Sequence, residues 1–195
     1  MGQLTRNAQV LRYLLEVAPG LGHTKLLKFA YLADLEARRY LGHQISTFSY
    51  RRYTHGPFDS AFYGAKDELV HGGYATSSTT WVGNYQGKCL EPTPLPVEYD
   101  FTTAEAEVLR FVADSYLSMS ARQLCDDVVY ETEPMQNVAM MEDLPMERID
   151  KRLDDHFGFN LERMLQSEQS AKAGRVRPLR AALDELRSRY HERSV

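Results

Sequence analysis

Side chains equipped for chemistry are thinly spread along this chain. Six histidines stand at positions 23, 43, 55, 71, 156 and 191, and none belongs to a His-x-x-x-His or His-x-Glu pattern that would aim two ligands at one ion. Cys89 and Cys125 lie far apart, with no second thiol or histidine at ligand spacing. There is no glycine-rich phosphate loop and no nucleophile elbow. The expectation is a protein without catalytic residues, metal or cofactor, in which no titratable cluster converges near His55 or Asp34 in a cleft able to hold a substrate. His55, beside Gly56 and Pro57, reads as a polar turn residue. Asp34 asks for a partner. At about 100° per residue it falls opposite Lys25 on its helix, among Leu27, Ala30 and Leu41, where a bare carboxylate is costly. Either Arg38 answers it at i, i+4, or donors of the Tyr53–Gly56 turn do.

The elements that must position these residues are mostly helical, with a small β component. Val10, Leu14 and Val17, with Leu11 and Leu15 beside them, make a helix over 7–18 that Pro19-Gly20 stops. A second helix runs from Thr24, as N-cap, to Leu41, with Gly42 as terminator. Lys25, Lys28, Glu36 and Arg39 form its one narrow polar stripe, so it is central and packed on several sides. Phe48, Tyr50 and Arg52 alternate as a short strand, after which Pro57 takes the place of a first helical residue. Phe58, Phe62, Ala65 and Leu69 then line one helix face up to Gly72-Gly73. Residues 74–89, with Gly83-Asn84 as turn, predict a hairpin, and Pro92, Pro94 and Pro96 an extended linker. Capping boxes at Thr102-x-x-Glu105 and Ser120-x-x-Gln123 open helices to about Tyr116 and Tyr130. Pro134 breaks the pattern of 131–144, where Met135, Met140 and Met141 either fill core or form an adaptable partner surface. Helices over 145–157 and from Pro178 follow, with a hinge at 170–174.

Three of these segments occur in the order of a known signature: Lys25-Leu26-Leu27-Lys28-Phe29-Ala30-Tyr31-Leu32-Ala33-Asp34, the aromatic strand running into Tyr53-Thr54-His55-Gly56-Pro57-Phe58, and the helix closing at Val70-His71-Gly72-Gly73. The chain resembles the Panacea antitoxin domain, also called SocA-like, over residues 24–135. Ser120-Ala121-Arg122-Gln123-Leu124 extends the likeness, although many members carry a histidine near the end of the short helix that follows and this chain has Tyr130 there. The resemblance implies a cytoplasmic antitoxin of a toxin–antitoxin or phage-associated locus that neutralises a partner toxin by direct binding. It marks Lys25, Lys28, Tyr31, Asp34, Gly56 and Pro57 as motif residues.

A domain at 1–135 and a helical extension at 136–195 are the expected organisation, α+β and mostly helical. The order helix, helix, strand, helix, hairpin is winged-helix-like, so a DNA-binding regulator is the rival reading. Against it, the third helix presents Asp59, Ser60, Tyr63, Lys66, Asp67, Glu68 and His71, with no Arg, Asn or Gln for base readout, and specific nucleic-acid binding is not expected. Residues 1–95 carry 10 Lys+Arg against 7 Asp+Glu, and residues 96–195 carry 13 against 20. No apolar run approaches the roughly 20 residues of a membrane span. A protein partner is expected on Arg51, Tyr53, His55, Phe58 and Tyr63, with Tyr50 and Arg52 beside them, since Tyr and Arg carry most interface energy. The stripe Leu179, Leu183, Leu186 and Tyr190 must also be buried, on its own domain, on a second copy in a homodimer, or on the toxin.

Overall fold

Thr5 accepts a hydrogen bond from the Ala8 N–H and so starts α1 (Arg6–Val17), whose Val10, Leu11, Leu14 and Leu15 are buried. The computed structural model describes residues 3–53, 55–82 and 85–142. A short strand, β1 (Leu21–Gly22), leads into α2 (His23–Leu41), which ends on Gly42 at φ +79°. Its N-cap is Gly22, with no side-chain cap, in place of the expected Thr24. From Leu26 to Ala37 every residue of α2 is buried, Lys28 and Glu36 included. The helix is central, as its composition indicates, but its polar stripe is no solvent face. Glu36 pairs with Arg39 at 2.9 Å, and burial still pushes its carboxyl above the ordinary range.

Phe48, Tyr50 and Arg52 point inward while Arg51 and Tyr53 are exposed, the alternation read from the sequence. Only Arg51–Tyr53 form β2, which pairs antiparallel with β3 (Gly56–Phe58) in the register Arg51↔Phe58, Arg52↔Pro57, Tyr53↔Gly56. This corrects the placement of Pro57, which lies in a strand and not at a helix start. The helix that follows, α3 (Ala61–His71), begins four residues later, and the Asp59 carboxylate accepts from the Ala61 N–H. Phe62, Ala65 and Leu69 are its buried face, while Phe58, off the helix, is only partly buried.

The hairpin is longer than expected: β4 (Ala75–Val82) and β5 (Tyr85–Pro92) pair from Ala75↔Pro92 to Val82↔Tyr85, and β1 adds outside β5 through Leu21↔Leu90 and Gly22↔Cys89. The proline-rich segment after it is held by Arg12, whose guanidinium donates to the Thr93 and Leu95 carbonyls. Both capping boxes are formed, at Thr102 for α4 (Thr103–Tyr116) and at Ser120 for α5 (Ala121–Gln123). After one turn α5 loosens into a π-helical segment, π1 (Leu124–Val129), and α6 (Glu133–Glu142) follows. Pro134 sits in the first turn of α6, where its missing N–H costs no bond, so the predicted break is instead a helix start. Met135 there is wholly buried as core. The molecule is α+β with helix predominant, and its core joins α1, α2 and α4, with α3 and β5 closing one side. The expected helices over 145–157 and from Pro178, the hinge at 170–174 and most of the 136–195 extension fall outside the described residues.

Candidate functional site

Asp34 organises the segment that leads into the β2–β3 hairpin. Wholly buried, it accepts from the Ile45 N–H at 2.9 Å, the Ser46 N–H at 2.8 Å, the Ser46 hydroxyl at 2.5 Å and the Tyr50 hydroxyl at 2.6 Å. Neither expected partner, Arg38 nor the Tyr53–Gly56 turn, is among them; Arg38 donates to Gln44 instead. Burial raises the Asp34 pKa, and the four donors only partly offset it. Tyr50 packs edge-on against Tyr31, whose hydroxyl bonds Thr132 at 2.8 Å. Arg52 donates to the Met135 carbonyl and stacks over Tyr130. Tyr50 and Arg52 therefore face inward, at 0% and 3% exposure, and are corrected as partner contacts.

Lys28 fixes the hairpin turn. Its ammonium donates to the His55 carbonyl at 2.6 Å while the residue is 2% exposed. Gly56 has φ +98°, and a Cβ there would stand 3.3 Å from Cys125 Sγ and 3.4 Å from Lys28 Cε, so the turn passes tight against both α2 and π1. Burial lowers the Lys28 pKa and raises that of the Cys125 thiol, which leaves the thiol neutral beside the amine.

Between this turn, the first turn of α2 and the start of α3 lies a half-open cleft of ≈ 280 Å³. Tyr53, His55, Phe58 and Tyr63 all line it, together with Lys28, Gly56 and Pro57. Tyr53, Phe58 and Tyr63 form a run of rings with centroids 5.5 and 5.9 Å apart, and both tyrosines remain 51% exposed. Arg51 is exposed on β2 but does not reach the cleft. His23, Thr24, Leu27 and Phe62 complete the lining and were not singled out from the sequence. The spacing of Thr24, Leu27 and Lys28 along one helix face was the available signal. Burial, then Lys66 and Lys88, lowers the His23 pKa, and its Nε2 is buried with no hydrogen-bond partner among the described residues. The expectation that titratable groups would not converge in a cleft near His55 is thus corrected: His23, Lys28 and His55 meet there. No trio of His, Cys, Asp or Glu at metal-binding spacing occurs among the described residues.

A family model described as antitoxin SocA-like, Panacea domain, matches residues 26–133. The chain belongs to that family. Comparison with curated proteins and with solved structures gave no match. The matched span takes in the Lys28 anchor, the Asp34 cluster, the hairpin and π1, and with them most of the cleft lining; His23 and Thr24 stand just ahead of it. Tyr130 lies under Arg52 at 5.3 Å. Leu179, Leu183, Leu186 and Tyr190 lie outside the described residues. No helix among the described residues is long and apolar enough to cross a membrane.

Proposed function

We propose that this Panacea-domain protein is a non-enzymatic antitoxin that neutralises a partner toxin by direct binding, and that the toxin docks on the face formed by Tyr53, His55, Phe58 and Tyr63, with Arg51 at its edge. The observation that carries this reading is the exposure of Tyr53, on a hairpin whose turn is anchored from beneath by Lys28 and packed tightly at Gly56, and of Tyr63 beside it on α3. Rigid aromatic anchors beside a cleft are what concentrates binding energy in an interface. A C-terminal contact through Leu179, Leu183, Leu186 and Tyr190, to the toxin or to a second copy, belongs to the same proposal. Two free cysteines suit a reducing cytoplasmic setting.

Co-expression with the toxin-like product of an adjacent reading frame tests it. Tyr53→Ala with Tyr63→Ala should weaken toxin binding by about 1,000-fold, two hot-spot losses of about 2 kcal/mol each, and abolish growth rescue while the far-ultraviolet spectrum stays the same. Full rescue by the folded double variant would remove this face from the interaction.

One observation favours the winged-helix regulator: β1 adds to the far side of the β4–β5 hairpin, completing a three-stranded sheet behind the helices. The charge on α3 opposes it, though less than the sequence suggests. Glu68 is engaged by the Thr5 N–H and hydroxyl at the start of α1, and Asp59 by the Ser49 and Ala61 N–H groups, so both acids serve the fold. Band-shift titration on the protein's own promoter separates the readings, sequence-dependent binding below micromolar at physiological salt favouring the regulator.

A further inference from the structure

The floor of the cleft is a cation with no ion-pair partner among the described residues, Asp126 acting on it only from beyond salt-bridge reach. This cation, Lys28, has one hydrogen-bond acceptor, the His55 carbonyl. An ammonium has three donors, so two remain for another group. No Asp or Glu lines the cleft. The first turn of α2 forms one wall through His23 and Thr24, and Gly22 gives that helix end no side-chain cap, so its free N–H groups and dipole add positive potential. The buried His23 Nε2 has no hydrogen-bond partner among the described residues, and Lys66 and Lys88, opposed by Asp67, lie close enough to act on that imidazole. Above this positive floor the rim is apolar: Tyr53, Pro57, Phe58 and Tyr63.

We propose that the cleft receives an acidic side chain from an extended segment of the partner protein, its carboxylate held by Lys28 and the His23 imidazole, and an adjacent apolar side chain resting on Tyr53, Phe58 and Tyr63. This rests on the docking-face reading above and adds the chemistry of what docks. At ≈ 280 Å³ the space fits one or two side chains and excludes a whole helix. Because it is half open, a chain can pass across it and dip one residue to the floor without ending there. A nucleic-acid phosphate is the poorer occupant, since Lys28 is the one Lys or Arg among the residues lining the cleft and offers nothing to a second phosphate.

The test uses the intact protein and needs no toxin. Two blocked tripeptides, acetyl-Phe-Glu-Phe-amide and acetyl-Phe-Gln-Phe-amide, are titrated while the His23 and His55 imidazole and Lys28 ammonium resonances are followed. The acidic peptide should bind about tenfold tighter than its amide twin, about 1.4 kcal/mol, and lose that margin in high salt. Lys28→Met should erase the difference, and because that change can loosen the hairpin, the comparison on the unaltered protein decides. Equal binding of the two peptides, or no movement of these resonances at millimolar peptide, would overturn the proposal. So would inorganic phosphate displacing the acidic peptide at equal concentration, which would indicate an anion site without preference for protein. A toxin that binds the aromatic face while the two peptides bind equally would leave the docking reading standing and remove only the acidic residue.

Discussion

Asp34 and Lys28 are opposite charges buried on one helix, and each is stabilised by the loop it holds, not by the other. Asp34 gathers four donors and so pins 45–50 against α2. Replacing it by Asn turns an acceptor oxygen into an NH2 that faces donors, which should lower stability by about 1–3 kcal/mol in urea unfolding at neutral pH. The pH dependence has a defined sign. Burial lifts the folded pKa above the ordinary 3.8, so the fold holds this proton more tightly than the unfolded chain does. The contribution of Asp34 is then fullest below 3.8, declines as pH rises towards the folded pKa, and is flat beyond. Wild-type stability minus that of Asp34→Asn should accordingly shrink from pH 4 upward; a margin that grows would mean that the four donors outweigh burial. That Asp34 needed a partner was legible from its place on the helical wheel. Which partner was not, because Ile45 and Ser46 belong to a segment without a repeating pattern, the alternation at Tyr50 tells only which way its ring faces, and only tertiary folding brings the three to α2.

At the scale of elements, the hairpin misled because its sequence signal is shared. A Gly-Pro pair ahead of an apolar helical stripe reads as a helix start, and here the same pair is β3. The difference lies in pairing with β2 and in the close passage of Gly56 over Cys125 and Lys28, neither of which is a local property. Gly42 offers an internal control: it has φ +79°, and a Cβ added there would meet nothing within 4 Å, whereas Gly56 at φ +98° has side chains at 3.3 and 3.4 Å. Gly42→Ala should cost about 1 kcal/mol for the left-handed backbone alone. Gly56→Ala should cost about 1–3 kcal/mol more and weaken toxin binding as the hairpin shifts. Equal unfolding midpoints for the two variants would show that the turn yields freely, contrary to a rigid docking face. Where a helix end is written in one turn, as in the Thr102 and Ser120 boxes and at Gly42, it was legible, unlike the starts of α2 and α3. The switch of α5 into π1 was not, because a π turn shares the apolar spacing of an α-helix end.

Over the whole molecule, the acidic surplus is confined to one region. Residues 96–142 carry 2 Lys+Arg against 10 Asp+Glu, while residues 143–195 carry 11 against 10 and residues 1–95 carry 10 against 7. The positive cleft floor thus belongs to the mildly basic first half, and the acidic α4–α6 region meets it at π1, where Cys125 packs against the turn and Asp126 acts on Lys28. The described residues bury their own core, from Leu4 to Met135, including the apolar faces of α1, α2 and α4. We propose on this ground that residues 143–195 are not required for folding. A chain ended at Glu142 should therefore unfold in one cooperative step, with a midpoint within about 5 °C of the full chain, since about 1 kcal/mol moves Tm by 2–4 °C at this size. Its mass by light scattering separates the fates of the Leu179, Leu183, Leu186 and Tyr190 stripe. A full chain that is dimeric and a shortened one that is monomeric would assign the stripe to self-association, whereas two monomers with equal toxin rescue would leave the aromatic face as the sufficient contact. A shortened chain that fails to unfold cooperatively would refute the boundary itself, placing those leucines inside the core of the Panacea domain.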